Sequence, residues 1–99
     1  MKKIVNVQAT MTATVLTSAI VKRVHAATKD YAVLETKVKD ADGRVVKLSH
    51  FYTVEHADWA LAKAKRIVAG AAIEFDVSRI DIETVGNCVY TNYCGYIRG

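Results

Sequence analysis

The final stretch, GNCVYTNYCGYIRG, residues 86 to 99, gathers the side chains best suited to chemistry: Cys88, Cys94, Tyr90, Tyr93, Tyr96 and Arg98. Two thiols could hold a metal ion or form a disulfide. Tyrosines and an arginine could instead stack on a ligand and neutralise it. Cys88 and Cys94 lie six residues apart, and on a strand rising about 3.3 Å per residue that puts both on one face, about 20 Å apart. A disulfide needs Cα atoms within about 7 Å, and one metal ion needs ligand bonds of about 2 Å. His50 and His56 supply no C-x-x-C or H-x-x-x-H pair to help. Two free thiols, no metal and no cofactor are therefore expected.

Strand alternation divides this stretch into two sides. Val89, Thr91, Tyr93, Gly95 and Ile97 read as the core side, and Cys88, Tyr90, Asn92, Cys94, Tyr96 and Arg98 as the outer side. Tyrosines on a sheet face stabilise it through cross-strand pairs by about 0.2–1 kcal/mol, which is a structural reason for them. A stacking face is the functional reason: base–aromatic stacking contributes about 1–3 kcal/mol per base, with cations beside it for phosphate. Catalytic patterns do not compete. There is no Ser/His/Asp order, zinc signature or phosphate loop. Glu74, Asp76, Asp81 and Glu83 alternate with apolar residues, as the polar side of strands does. His25, His50 and His56 are isolated and read as structural or solvated. A non-enzyme is expected.

The chain that positions these residues has 99 amino acids, enough for one domain over residues 1–99. It is 52% apolar and carries a net charge of +4, compatible with a polyanionic partner. No apolar run reaches the length of about 18 residues that a membrane span requires. Lys2, Lys3 and Val24-His25-Ala26 imitate a secretory signal, but Asn6, Gln8, Thr10, Thr12 and Thr14 interrupt its apolar region, and Lys22 and Arg23 crowd its end. The segment is expected to belong to the mature fold, and the protein to be cytoplasmic.

From Val5 to Val21 apolar residues recur at odd positions, and the threonines and valines favour extended structure. A helix over 12–24 is the rival, since Ala13, Leu16, Ile20 and Val24 also fall near helical spacing. So long a strand must bend, or break near Leu16. Residues 31–38 and 45–52 form a hairpin around KDADGR, in which Asp42-Gly43 supplies the positive-φ residues of a tight turn. Thr53 opens a helix expected over 54–68, with Ala57, Leu61, Ala64 and Val68 as its apolar stripe, Lys63, Lys65 and Arg66 near its end and Gly70 as its stop. Trp59 flanks that stripe and reads as a core or interface anchor. Two further strands follow, the first bent or bulged near Ser78, joined by a turn at Gly86-Asn87.

The order β-β-β-α-β-β resembles that of the oligonucleotide/oligosaccharide-binding (OB) fold. That fold is a five-stranded, partly open Greek-key barrel with a long bent first strand and a helix between strands three and four. The glycine before strand four, in VAGAAIEFDV, also resembles the opening of that strand. The resemblance is one of topology, spans nearly the whole chain and carries no diagnostic motif. A curled α+β sheet that dimerises, or a fold in which residues 3–24 make two strands, gives a similar string of elements.

The OB resemblance implies nucleic acid lying across strands two and three and the loops from strand one to two and four to five, here HAATKD and ETVGN. The candidate binding residues are then Lys22, Arg23 and Lys29 beside the first loop, Lys37, Lys47 and Phe51 on the hairpin, and Tyr90, Tyr96 and Arg98 on the last strand. The same lysines would also solvate an exposed sheet face and block edge pairing. Two functions follow. One is binding of single-stranded DNA or RNA through a basic groove and aromatic stacking. The other is a protein-interaction module (adaptor, inhibitor or oligomeric subunit) whose long first strand pairs with a second copy in a homodimer.

Overall fold

The structure is a computed structural model and describes residues 2–98. Its five strands are β1 (Lys2–His25), β2 (Asp30–Asp40), β3 (Val45–Thr53), β4 (Ala72–Val85) and β5 (Cys88–Ile97). They close into a barrel in the order β1-β2-β3-β5-β4. A 3-10 turn (Val54–His56) and the helix α1 (Ala57–Ala64) lie between β3 and β4. The chain is thus mostly β with one helix, in the expected order β-β-β-α-β-β.

Threonine and valine keep β1 extended over all 24 of its residues. The helical alternative over 12–24 is not adopted, and the strand bends rather than breaking in two. It pairs antiparallel with β4 through Lys2–Thr14 and with β2 through Ala13–His25. Its register slips between Asn6 and Ala9 against β4, and twice between Val15 and Ile20 against β2. At this second bend the segment after the helix supplies backbone partners. The Val15 N–H donates to the Ala71 carbonyl (2.8 Å), Gly70 N–H to the Val15 carbonyl (2.8 Å) and Ala19 N–H to the Ile67 carbonyl (2.9 Å). The Thr36 hydroxyl donates to the Thr17 carbonyl at 2.7 Å.

This pairing shortens the helix. The expected stretch 54–68 becomes a 3-10 turn followed by eight α-helical residues. Residues 65–67 tighten into turns that bring Ile67 and Ala71 alongside β1. The apolar stripe rotates with them: Ala60 and Ile67 are buried, whereas Leu61 and Val68 are exposed.

The hairpin of β2 and β3 runs from Tyr31↔Thr53 to Lys39↔Val45. In its turn only Gly43 has a positive φ, +81°, and Asp42 does not. The carboxylate of Asp40 organises the rest, accepting from the Asp42 and Arg44 N–H groups at 2.9 Å each. Gly86, with φ +59°, opens the two-residue turn between β4 and β5, the position where a type II′ hairpin wants glycine.

The core draws on every strand, with Val15, Leu34, Val38, Leu48, Phe75 and Ile97 almost wholly buried. β4 bulges at Ser78, as expected, and the Ser78 hydroxyl donates to the Cys94 carbonyl at 3.2 Å. Gly95 sits against this bulge. A Cβ there would run into the Asp76 carbonyl oxygen and lie 3.1 Å from the Ser78 nitrogen. Both obstacles are backbone, so neither can swing aside. Gly95→Ala is expected to destabilise the fold by about 2 kcal/mol; an unchanged urea midpoint would contradict this close approach.

Candidate functional site

β3 and β5 run parallel from Lys47↔Asn92 to Ser49↔Cys94. With β2 and β4 on either side they present one outward face. Across it the registers align Glu35, Ser49, Cys94 and Arg79 in one row, and Lys37, Lys47, Asn92 and Asp81 in the next.

The middle of this face is self-neutralised. Lys22 Nζ and Lys47 Nζ both approach the Glu35 carboxylate, at 2.9 and 3.5 Å. Arg79 pairs with Asp81 at 2.9 Å, and the Ser49 hydroxyl donates to Asn92 Oδ1 at 2.9 Å. Cys94 points outward with these groups, as alternation requires, yet it is buried beneath them. Arg79 Nη2 and Asn92 Nδ2 lie 3.4 and 3.5 Å from its Sγ. Burial pushes the Cys94 thiol pKa up, which disfavours the nucleophilic thiolate. Both cysteines are free. Among the described residues, no cluster of three or more His, Cys, Asp or Glu side chains is placed to hold a metal ion.

The ends of the face differ. At one end Phe51, Tyr96 and Trp59 are 42%, 55% and 60% exposed. Two adjoining hollows share Phe51, Tyr96 and His50. One, of about 670 Å³, reaches toward Tyr31, Ser78 and Arg79. The other, of about 530 Å³, reaches toward Trp59, Lys63 and Arg66, and has no carboxylate among its lining residues. Lys63 Nζ sits 4.5 Å from the centre of the Tyr96 ring and donates to the Ile97 carbonyl at 2.6 Å, tying α1 to the end of β5. His56 stacks on Trp59 with ring centres 4.0 Å apart, and Tyr31 meets Phe51 edge-on at 6.0 Å. Trp59 is therefore no core anchor. Its neighbour Ala60 takes the buried position on the short helix and leaves the indole outside.

His50 lies between the hollows. Its position on β3 shares the inward parity of Leu48, and it is only 6% exposed. Its Nδ1 faces the Ile97 N–H at 3.3 Å and the Tyr52 hydroxyl at 3.1 Å. Its ring stacks on Tyr52, centres 4.1 Å apart, and tilts against Tyr96 at 4.8 Å. Burial first, and the positive charge of Lys63 second, lower its pKa to about 4.

The structure thus brings Phe51 and Tyr96 together and leaves Tyr90 elsewhere. Tyr90 shares a third hollow, of about 490 Å³, with Lys2, Lys37, Lys47, Val45, Val89, Asp81 and Glu83. Val89, assigned by alternation to the core side, is exposed at this rim of the barrel. Arg98 is engaged with Asp76 (2.9 Å) and Glu74 (3.5 Å); hydrogen bonds from Arg98 and Thr10 hold the Asp76 carboxyl below the usual carboxylate range. Of the candidate cations, Lys22, Lys47 and Arg98 are ion-paired, whereas Arg23, Lys29 and Lys37 form no ion pair with another described residue. Lys29 instead lies 5.9 Å from the Tyr31 ring centre. Sequence reasoning passed over His50, Lys63 and Arg66. Their signal was the run HFY closing a strand, followed directly by a helix with one tryptophan and a cationic end. No family model matches the chain, and neither the curated proteins nor the solved structures yield a match.

The His50 environment sets a pH dependence. Its folded pKa of about 4 lies below the ordinary value of 6.5, so the unfolded chain binds the proton more readily. The stability associated with the neutral ring is present above pH 6.5 and is lost as pH falls toward 4. Between pH 7.5 and 5.0 this group should remove about 2 kcal/mol. Urea unfolding of the wild type and His50→Gln at both pH values would measure it. An NMR titration placing the His50 pKa near its ordinary value would contradict it.

Proposed function

We propose that the chain is a small OB-type barrel that binds single-stranded DNA or RNA and catalyses no reaction. The strand order and the helix between β3 and β4 support the fold reading. The observation that carries the functional reading is the carboxylate-free hollow, where exposed Phe51, Trp59 and Tyr96 surround Lys63 and Arg66. Flat rings left in water beside cations are what an unpaired base and its backbone require; the carboxylate of the adjoining hollow, Asp76, is paired with Arg98. A duplex keeps its base faces stacked inside and offers these rings little, so single strands are preferred. Lys63 and Arg66 meet phosphate first, and Lys29, beside the Tyr31 ring, adds a cation at the same end; Lys37 lies at the opposite end of the face. Lys22, Lys47 and Arg98 contribute less, because phosphate must compete there with Glu35, Glu74 and Asp76.

A second reading, a protein-interaction module, draws on the other end of the face. Val45, Val89 and Tyr90 are all exposed around the third hollow, an apolar rim suited to a protein partner. Before Ala13, moreover, β1 is paired with β4 alone, which leaves its other edge open to a second copy. Two free thiols, one of them exposed, suit a reducing compartment, and the cytoplasm is our proposed location. Among the described residues no helix is long and apolar enough to cross a membrane.

Fluorescence anisotropy with labelled oligonucleotides across a salt series tests the first reading. Single strands should bind more tightly than duplexes, with a log–log salt slope of about −0.7 per phosphate contacted. Trp59→Ala or Phe51→Ala should each weaken binding by about 1–3 kcal/mol, and Val89→Asp should leave it unchanged. Absence of binding at low salt overturns the nucleic-acid reading. A self-association seen by sedimentation equilibrium and abolished by Val89→Asp would favour the second.

A further inference from the structure

His50 has a hydrogen-bonding group that the fold does not use. The backbone N–H of Ile97 can only donate, and it points at Nδ1 from 3.3 Å. Nδ1 is therefore the acceptor, and the ring proton resides on Nε2. A protonated imidazole would set two N–H groups against each other at that position, so geometry alone favours the neutral ring. Nε2 has no partner among the described residues, since the Tyr52 hydroxyl and the Ile97 N–H both meet the ring at Nδ1. His50 lines both aromatic hollows.

The ring cannot easily move. Tyr52 stacks on it and Tyr96 leans against it, while the Ile97 N–H donates to Nδ1. A buried side chain with a fixed, uncharged donor at the junction of two stacking surfaces is suited to a neutral acceptor. Phosphate is better served by Lys63 and Arg66 nearby.

We propose that His50 reads the edge of a bound base: its Nε2–H donates to a nucleobase carbonyl oxygen while the base face lies against Phe51 or Tyr96. The inference rests on the single-strand reading above and deepens it, since it adds a preference for bases presenting a carbonyl, as thymine and uracil do. It makes His50 a specificity-determining residue in an otherwise sequence-tolerant groove.

The test compares an oligothymidylate with the same-length oligomer bearing difluorotoluene in place of thymine, which keeps shape and stacking but offers no strong acceptor. Wild type should bind the thymine strand about three- to tenfold more tightly, the range expected for one neutral hydrogen bond. His50→Gln, which retains a donor and an acceptor, should keep most of that preference, and His50→Phe should lose it. Because His50→Phe strands the Ile97 N–H and could fail to fold, the wild type supplies a second readout. The imidazole nitrogen spectrum should show the Nε2–H tautomer in the free protein, and its Hε2 signal should move downfield with oligothymidylate but not with the isostere. Equal affinity for the two strands with an unmoved Hε2 overturns this inference and leaves the single-strand reading standing. Binding of neither strand at low salt overturns both.

Discussion

The architecture depends on keeping the backbone of β1 hydrogen-bonded while that strand changes partners. Its first half belongs to β4 and its second to β2. At the handover, around Val15 to Ala19, a bent strand would leave amides and carbonyls facing inward unpaired, at a cost of about 1–3 kcal/mol each. Residues 67–71 take up that duty. Much else follows from it. The helix must end early enough for Ile67 to lie beside Ala19, which turns Ala60 inward and Trp59 outward. Lys63 then reaches the Ile97 carbonyl and the Tyr96 ring. A backbone requirement on one side of the barrel thereby assembles an aromatic surface at its end.

The outward face shows how ion pairing apportions a sheet that is rich in charge. Exposed pairs contribute little stability, about 0–1 kcal/mol each, yet they decide where positive potential survives. Glu35 takes the charge of two lysines, and Glu74 and Asp76 take that of Arg98. What remains unpaired lies toward the ends, near Lys63 and Arg66 on one side and Lys37 on the other. The net charge of +4 is thus a poor guide to where an anion would settle.

Strand parity made most of the fold legible. The alternation of β1, the hairpin around Gly43 and the bulge at Ser78 could all be read from residue type and spacing. Parity gives the side of a residue and not its depth. Cys94 is on the outer side but lies under Arg79 and Asn92, and Val89 has inward parity but stands at an open rim. Both outcomes depend on neighbours that only the β4–β5 and β3–β5 registers bring near. The helix end was hidden for a related reason: helical spacing continues to Val68, and the competing hydrogen bonds come from residues about fifty positions earlier in the chain. Phe51 and Tyr96 were legible as aromatic residues on outward strands. The buried setting of His50 was not, because it depends on the Ile97 amide, which comes from another strand.

The parallel seam of β3 and β5 extends only from Lys47↔Asn92 to Ser49↔Cys94, the briefest ladder in the barrel. It is where the closed sheet has least holding it shut. Phe51 stands just past one strand of that seam and Tyr96 just past the other, and both border the same hollows. A molecule lying across them would act as a clasp over the weakest join. Occupancy would then be felt as slower breathing of the whole barrel, with the amides of Leu48 and Tyr93 exchanging their hydrogens more slowly although neither residue borders those hollows.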